Sequence, residues 1–597
     1  MSVLRRSWIA ALLLSAGTGL AIGVFVDRGA PPSTASTLMG TEDAFAPSGL
    51  HEREMGPTPI RWTGERARLR FRHLPPGRTG VVVEVRGHRD WVAVSTNGAA
   101  QGTLAPGSST GVFGADVPAG GALDVDLHVR GFEASGRLLG TQLGLVQIAP
   151  PQERGVDRRV LAAFAVPAVA AALAMLAAGW GVLAAWLASL VIAAAEAALL
   201  FPSGIVHSGY TDRLAIGLTL GTLIALGLAR LAERFWAGAA RGALVAALAA
   251  LIVQGAAATW PAMMTSDVVM NAHYLRDVSR GNWSITSRTQ HKPPFQIPYG
   301  VSFYAVLLPF ERAGFDRVDV VRAGAAAAGL LATIGVFAIV APRSPAAATA
   351  AALALQLLPG TFVRYSYGNL ANVFGQAMTV LFFAWWTRDG RAGAGLGALL
   401  MILAGLGHLS AAIVLAALLV ALFVVRRGWG GLPRAAQTAV LVAGAVIVGY
   451  YAQVLVESGA WMQIPRLLEG PGSGGAASRS LLAVLQKQLN DVFWEWGLPA
   501  LALAWAGRPR ERRGVDGDLL AFWLAGAGLG LLALVSPVEV RYLYALTAPL
   551  AVAMGQGTLA LLRSPGPLRF SGLAVLLAQI AFALTRLHYD LYSRYRP

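Results

Sequence analysis

Cysteine is absent from all 597 residues, which removes structural disulfides, thiol catalysis and cysteine metal sites together. Any domain outside a membrane must therefore hold by packing alone. Charge is scarce too. Asp, Glu, Lys and Arg make up 13% of the chain against 55% hydrophobic residues, a more apolar balance than a soluble domain carries. Acids are the rarer sign, 32 against 48 basic residues, for a formal charge of +16. The basic residues sit in short clusters between apolar runs, as positive-inside topology requires, and not along one face, so nucleic-acid binding is set aside. Also missing is an A-x-A-like cleavage site behind the first apolar run, IAALLLSAGTGLAIGVFV after MSVLRRSW, and that run is read as an uncleaved anchor.

What is present is a succession of apolar runs. From residue 160 they recur near 160–180, 182–201, 213–231, 241–260, 319–341, 346–360, 370–387, 393–407, 409–425, 434–454, 491–507, 518–536, 541–562 and 569–586. With the anchor they predict a mainly α, polytopic membrane protein of about fifteen spans. Residues 61–150 differ. Alternating segments such as RARLRFRHL, GVVVEVRG, WVAVSTNG and ALDVDLHVRG, separated by Gly and Pro turns, predict an extracytoplasmic β-sandwich of jelly-roll type. The expected parts are an anchor (1–30), the β-sandwich (31–155), additional membrane helices (156–235) and a membrane core (236–597) with outer loops at 261–297 and 455–490. Segment 298–313 is short, opens with Pro298 and contains Pro309. Treating it as re-entrant or surface-lying keeps RLAERFWAGAARG, WWTRDGRAG, FVVRRGWGGLPR, GRPRERRG and LLRSPGPLR on the cytoplasmic side with MSVLRR. The β-domain, loop 261–297, stretch 361–369 (TFVRYSYGN), loop 455–490, the SPVEVR segment and the turn at His408 then share the outer side.

The polar stretch 261–297, PAMMTSDVVMNAHYLRDVSRGNWSITSRTQHKPPFQI, concentrates the ionisable groups. Asp267 follows an apolar run, where a carboxylate near a cationic surface stays ionised and can take a proton from an incoming hydroxyl. Asp267 also suits the cap of a helix starting at Val268. Lys292, Arg276, Arg280 and Arg541 are the candidate cations on the outer side. Arg541 begins an apolar helix and can snorkel to headgroup depth. Arg276 and Arg280 are equally an i, i+4 pair suited to lipid headgroups. His273, Tyr274, His291, His408 and Glu539 are candidate substrate contacts, with local hydrogen bonding the alternative for His408 and Glu539. The histidines have no metal-ligand spacing, so no metal-binding residue is assigned. In loop 455–490, GPGSGG and SLLAVLQKQLNDVFWEW read as a mobile lid or as a plain connector.

Asp267, the helix-like VVMNAHYLRDVSR, Gly281-Asn282-Trp283, Lys292-Pro293-Pro294-Phe295, and Gly314-Phe315 with Arg322 give the chain a resemblance. It resembles the GT-C membrane glycosyltransferases, in the branch of protein O-mannosyltransferases and lipid A aminoarabinose transferases. The matching motifs cover about sixty residues, and residues 1–235 lie outside the resemblance. It implies a polyprenyl-phosphate sugar donor, whose departing phosphate Lys292, Arg276, Arg280 and Arg541 are candidates to hold as charge develops on it, an extracytoplasmic lipid, glycan or protein acceptor, and inversion at the anomeric carbon. It also implies an active site on the outer face of the cell (inner) membrane, with Asp267 as general base or acceptor-positioning group. One departure stands out: Val268 follows Asp267 where the family carries a second acid, so the cofactor reading stays open between none and a divalent metal. Two other classes compete, a transporter or flippase of lipid-linked saccharides and a non-catalytic GT-C-like assembly subunit. The flippase predicts inverted repeats and midplane charges, and Val268 is the feature that favours the subunit.

Overall fold

The computed structural model describes residues 2–37, 40–51, 61–134, 136–149, 156–263, 265–288, 296–366, 368–388, 393–426, 428–463, 497–508, 515–532 and 544–593. Two compact units emerge, one of Met1–Leu231, Trp260–Ser266 and Leu591–Pro597, the other of Ala232–Thr259 and Asp267–Asp590.

The first unit opens with helix α1 (Ser2–Gly29) and then forms the β-domain. Its strands are β1 (Ser33–Ser36), β2 (Ser48–Leu50), β3 (Arg61–Phe71), β4 (Gly77–His88), β5 (Val92–Thr96), β6 (Ala99–Leu104), β7 (Gly107–Val117), β8 (Leu123–Val129), β9 (Phe132–Ala134), β10 (Arg137–Leu139) and β11 (Gln142–Ala149). The sequence alternation decides which side of each strand is inside. In β8, Leu123, Val125, Leu127 and Val129 are buried while Asp124, Asp126 and His128 point outward, the period-2 pattern of a half-buried strand. Asn97-Gly98, both at positive φ, joins β5 to β6 as a two-residue hairpin turn, the geometry that Asn-Gly favours. The expected two-sheet sandwich is corrected in one respect. The strands follow a single antiparallel path, β6-β5-β8-β3-β11-β4-β7, and its terminal strands β6 and β7 lie beside each other, so the sheet is a nearly closed barrel.

Helices α2 (Arg158–Ala177), α3 (Val182–Leu200) and α4 (Gly209–Phe235) follow. Asp157 caps α2 by accepting from the Arg159 N–H, as an aspartate at that position does. The β-domain is tied to these helices by polar groups. The Arg72 N–H donates to the His207 carbonyl at 3.0 Å, His207 Nδ1 donates to the His73 carbonyl at 2.7 Å, and His73 Nε2 lies 2.9 Å from Asp212 Oδ2.

In the second unit, α5 (Ala240–Ala250) passes through a π-turn at Leu251–Gly255 into α6 (Ala256–Thr259). Then come α7 (Thr265–Ser279), the hairpin β12 (Thr286–Arg288) and β13 (Gln296–Pro298), α8 (Ser302–Arg312), α9 (Arg317–Val340), α10 (Pro345–Gln356), α11 (Gly360–Ser366) and α12 (Leu370–Trp386). After α13 (Ala394–Gly405), α14 (Leu409–Val425) and α15 (Arg434–Glu457), the described chain resumes with α16 (Leu498–Ala506), α17 (Val515–Leu532), α18 (Thr547–Arg563) and α19 (Pro567–His588). Each apolar run from residue 160 falls on a helix in its described part. Among the described residues nine helices are long and apolar enough to cross a membrane, while Leu370–Trp386, Ala394–Gly405 and Leu409–Val425 are apolar but shorter. The protein is thus mainly helical and polytopic, and this length criterion gives nine spans against the expected fifteen. Helix α8 has 11 residues, about 16 Å of rise against a hydrocarbon core of about 30 Å. It is too short to cross alone.

Candidate functional site

The polar sequence after α6 forms helix α7, which starts at Thr265, so Asp267 stands within its first turn. It is therefore not the cap of a helix beginning at Val268. A carboxylate in a first turn faces unpaired backbone N–H groups and the positive end of the helix dipole. Asp267 is partly exposed, and its side chain packs on Gly368 in the turn between α11 and α12. Gly368 has φ +65°, and a Cβ there would collide with the Asp267 Cβ and lie 2.9 Å from Oδ2. Only glycine meets both conditions.

One turn along α7, Asn271 fixes this corner. Its Nδ2 donates to the Asp267 carbonyl at 2.6 Å and lies 3.4 Å from the Gly368 carbonyl. Its Oδ1 accepts from the Tyr304 hydroxyl at 2.7 Å. Asn271 and Tyr304 are both fully buried, where an unmet polar group costs more than the bond itself contributes. Tyrosines extend the wall. Tyr274 packs 4.9 Å from Tyr299 and 5.8 Å from Tyr304 between ring centroids, and Tyr299 meets the His408 ring edge-on at 4.9 Å. Burial, with the Asp277 and Asp267 carboxylates nearby, raises the Tyr274 hydroxyl above its ordinary range, and burial among tyrosines does the same for Tyr304. Both remain neutral hydrogen-bonding groups.

The sequence candidates fare unequally. Asp267, Tyr274 and His408 share this corner through Tyr299, Tyr304 and Asn271. His408 is buried, and its Nδ1 accepts the Ser410 N–H at 3.0 Å as the cap of α14, so it orders the wall and is not an exposed substrate contact. The Arg276 guanidinium meets Asp277 at 3.2 Å, with its side chain 35% exposed. Arg280 is exposed at the end of α7, and its N–H donates to the Arg276 carbonyl. His273 is partly buried on α7. Lys292, His291, Arg541 and Glu539 lie outside the described residues, as do the Lys-Pro-Pro turn, the SPVEVR segment and most of loop 455–490. Among the described residues no group of His, Asp and Glu is arranged to hold a metal ion.

A second polar cluster went unforeseen. The stretch 361–369, expected as an outer loop, instead buries residues 361–366 as helix α11. Its Arg364 is 3% exposed; Nε donates to the Thr361 carbonyl at 2.8 Å and Nη2 to Gln254 Oε1 at 3.1 Å. Gln254 stands on the π-turn, and its Nε2 donates to Gln356 Oε1 at 2.8 Å. Gln356 Nε2 in turn reaches Thr333 Oγ1 at 3.0 Å. A lone glutamine in the apolar run ALAALIVQGAAAT was the available signal, since π-turns concentrate at functional sites. Glu196 of α3 is a similar oversight, fully buried with neither oxygen hydrogen-bonded among the described residues.

No family model, curated protein or solved structure matches this chain.

Proposed function

We propose that the protein is an integral-membrane glycosyltransferase that moves a sugar from a polyprenyl-phosphate donor to an extracytoplasmic acceptor, with Asp267 as general base. The observation that carries this reading is the placement of Asp267. A partly exposed carboxylate follows directly on a membrane-spanning segment, backed by Gly368 and Asn271, with Tyr274 on the same helix packed against Tyr299. Glycosyl transfer needs such a group, fixed in orientation, to accept the proton of the incoming hydroxyl as the anomeric bond breaks. Buried tyrosines that stay neutral supply hydroxyls and ring faces of the kind that bind sugars. The departing phosphate needs cations. Arg280, exposed just past α7, and Arg276, shared with Asp277, are the described candidates, with Lys292 and Arg541 carried by the resemblance. The distribution of basic loops in the sequence supports a position for this corner on the outer face of the cell (inner) membrane, in a chain of about fifteen spans if the shorter apolar helices also cross.

The test is donor consumption by purified protein across a panel of polyprenyl-phosphate sugars, comparing wild type with Asp267→Asn. Loss of a general base predicts about a 10²–10⁴-fold lower turnover with the fold intact. Equal turnover in both would remove Asp267 from the chemistry. Net movement of intact donor across vesicles by both would replace the enzyme with a flippase.

A further inference from the structure

Arg364 and the cavity beside it play no part in the transfer proposed above. Arg364 is 3% exposed inside the second unit, and a guanidinium does not deprotonate in a protein. Its charge is therefore permanent. Its described partners are all uncharged: the Thr361 carbonyl, Gln254 Oε1 and the ring of Tyr365 at 5.6 Å. Among the described residues it forms no ion pair. Two hydrogen bonds use two of five guanidinium N–H groups, and burying an ion without a counter-charge leaves its desolvation cost unrelieved.

The guanidinium lines a cavity together with Gln376, Thr379, Tyr544 and Thr547, closed elsewhere by apolar side chains such as Phe522. The two threonine hydroxyls donate to backbone carbonyls, Thr379 to Gly375 at 3.0 Å and Thr547 to Tyr544 at 2.6 Å. Among the described residues no carboxylate lines the cavity, so the charge of that lining is positive. The cavity is small, of the order of one bound particle of water size, which suits a monatomic anion better than a phosphate ester.

We infer that this cavity is a binding site for a single halide-sized anion, held by Arg364 as its counter-charge within the helical core. The ion replaces the missing carboxylate and locks α11, whose following turn holds Asp267 through Gly368. The site stands whether or not Asp267 is catalytic.

The test uses purified full-length protein in detergent, moved from gluconate to chloride or bromide at constant ionic strength. Wild type and the β-domain surface variant Arg68→Gln should both show a saturable rise in Tm with halide, as a ligand of the native state produces. Arg364→Gln should show none. Because that variant can lose its fold, retention of ³⁶Cl by wild type on gel filtration is measured alongside. One chloride per chain, displaced by excess bromide, is expected. A halide response preserved in Arg364→Gln, or no retained chloride on wild type, overturns the inference and leaves the cavity to water.

Discussion

The β-domain and the helical unit both pair arginine with aspartate, in opposite surroundings. On the barrel, Arg68 faces Asp126 and Arg70 faces Asp124 across β3 and β8, in register and at 2.6 Å, with the arginine side chains about half exposed. In the helical unit, Arg426 at the end of α14 grips Asp518 of α17 with two bonds of 2.9 and 2.6 Å, and Asp518 is 1% exposed. Water stands ready to replace a lost partner in the first setting and is kept from the carboxylate in the second, where only the Arg426 side chain is partly exposed. Equal geometry therefore does not mean equal energy, and Arg364 is conspicuous because, among the described residues, it is buried with no carboxylate partner while Arg426 has Asp518.

The largest effect that tests this contrast is expected at Asp518. Asp518→Ala leaves Arg426 without its carboxylate and should cost about 3–5 kcal/mol, the range for breaking a buried pair. Denaturant or thermal unfolding in detergent measures it. Replacing both partners with apolar residues, Arg426→Met with Asp518→Leu, should recover most of the loss, since the pair's net worth is small compared with the cost of halving it. A single-variant loss below about 1 kcal/mol would place this pair with the exposed ones.

A smaller effect separates two glycines of similar backbone. Gly98 at φ +82° has open space around its missing Cβ, whereas Gly368 at φ +65° has Asp267 in the way. Gly98→Ala should lose about 1 kcal/mol from the left-handed backbone alone. Gly368→Ala should lose about 1–3 kcal/mol more through overpacking, together with donor turnover as Asp267 is pushed aside. Equal losses in the two variants would mean that Gly368 does not position Asp267.

The two regions also differ in how far they could be read from sequence. On the barrel, one residue in two faces inward, so LDVDLHV states its own burial and STNG its own turn; only closure, which depends on how strand ends meet, was out of reach. The helices announced themselves by apolar runs. Asp267 was legible because it breaks into polar sequence straight after such a run. Asn271 and Tyr304 were not, because a buried hydrogen bond between α7 and α8 leaves no periodic trace. Arg364 was misread for a physical reason. TFVRYSYGN is polar enough to suggest an outer loop, and only its distant partner Gln254, met through the π-turn, makes burial tolerable.

The smallest effect returns to the barrel surface. The hydrogen bond from Arg70, aided by the Arg70 and Arg68 charges and opposed by partial burial, holds the Asp124 carboxyl below its ordinary value of about 3.8. A carboxyl depressed in the folded state stabilises the fold above its unfolded pKa, and that contribution fades as pH falls through the lower folded value. Asp124→Asn should therefore be slightly less stable than wild type near neutral pH, by under about 1 kcal/mol because solvent screens the pair. The gap should close only below about pH 3.8. Unfolding of wild type and variant followed from pH 7 to pH 3 reads this directly. A difference that already vanishes near pH 5 would mean that Arg70 does not hold the Asp124 carboxyl down, and one as large as that at Asp518 would mean that the barrel's charges are held as the core's are.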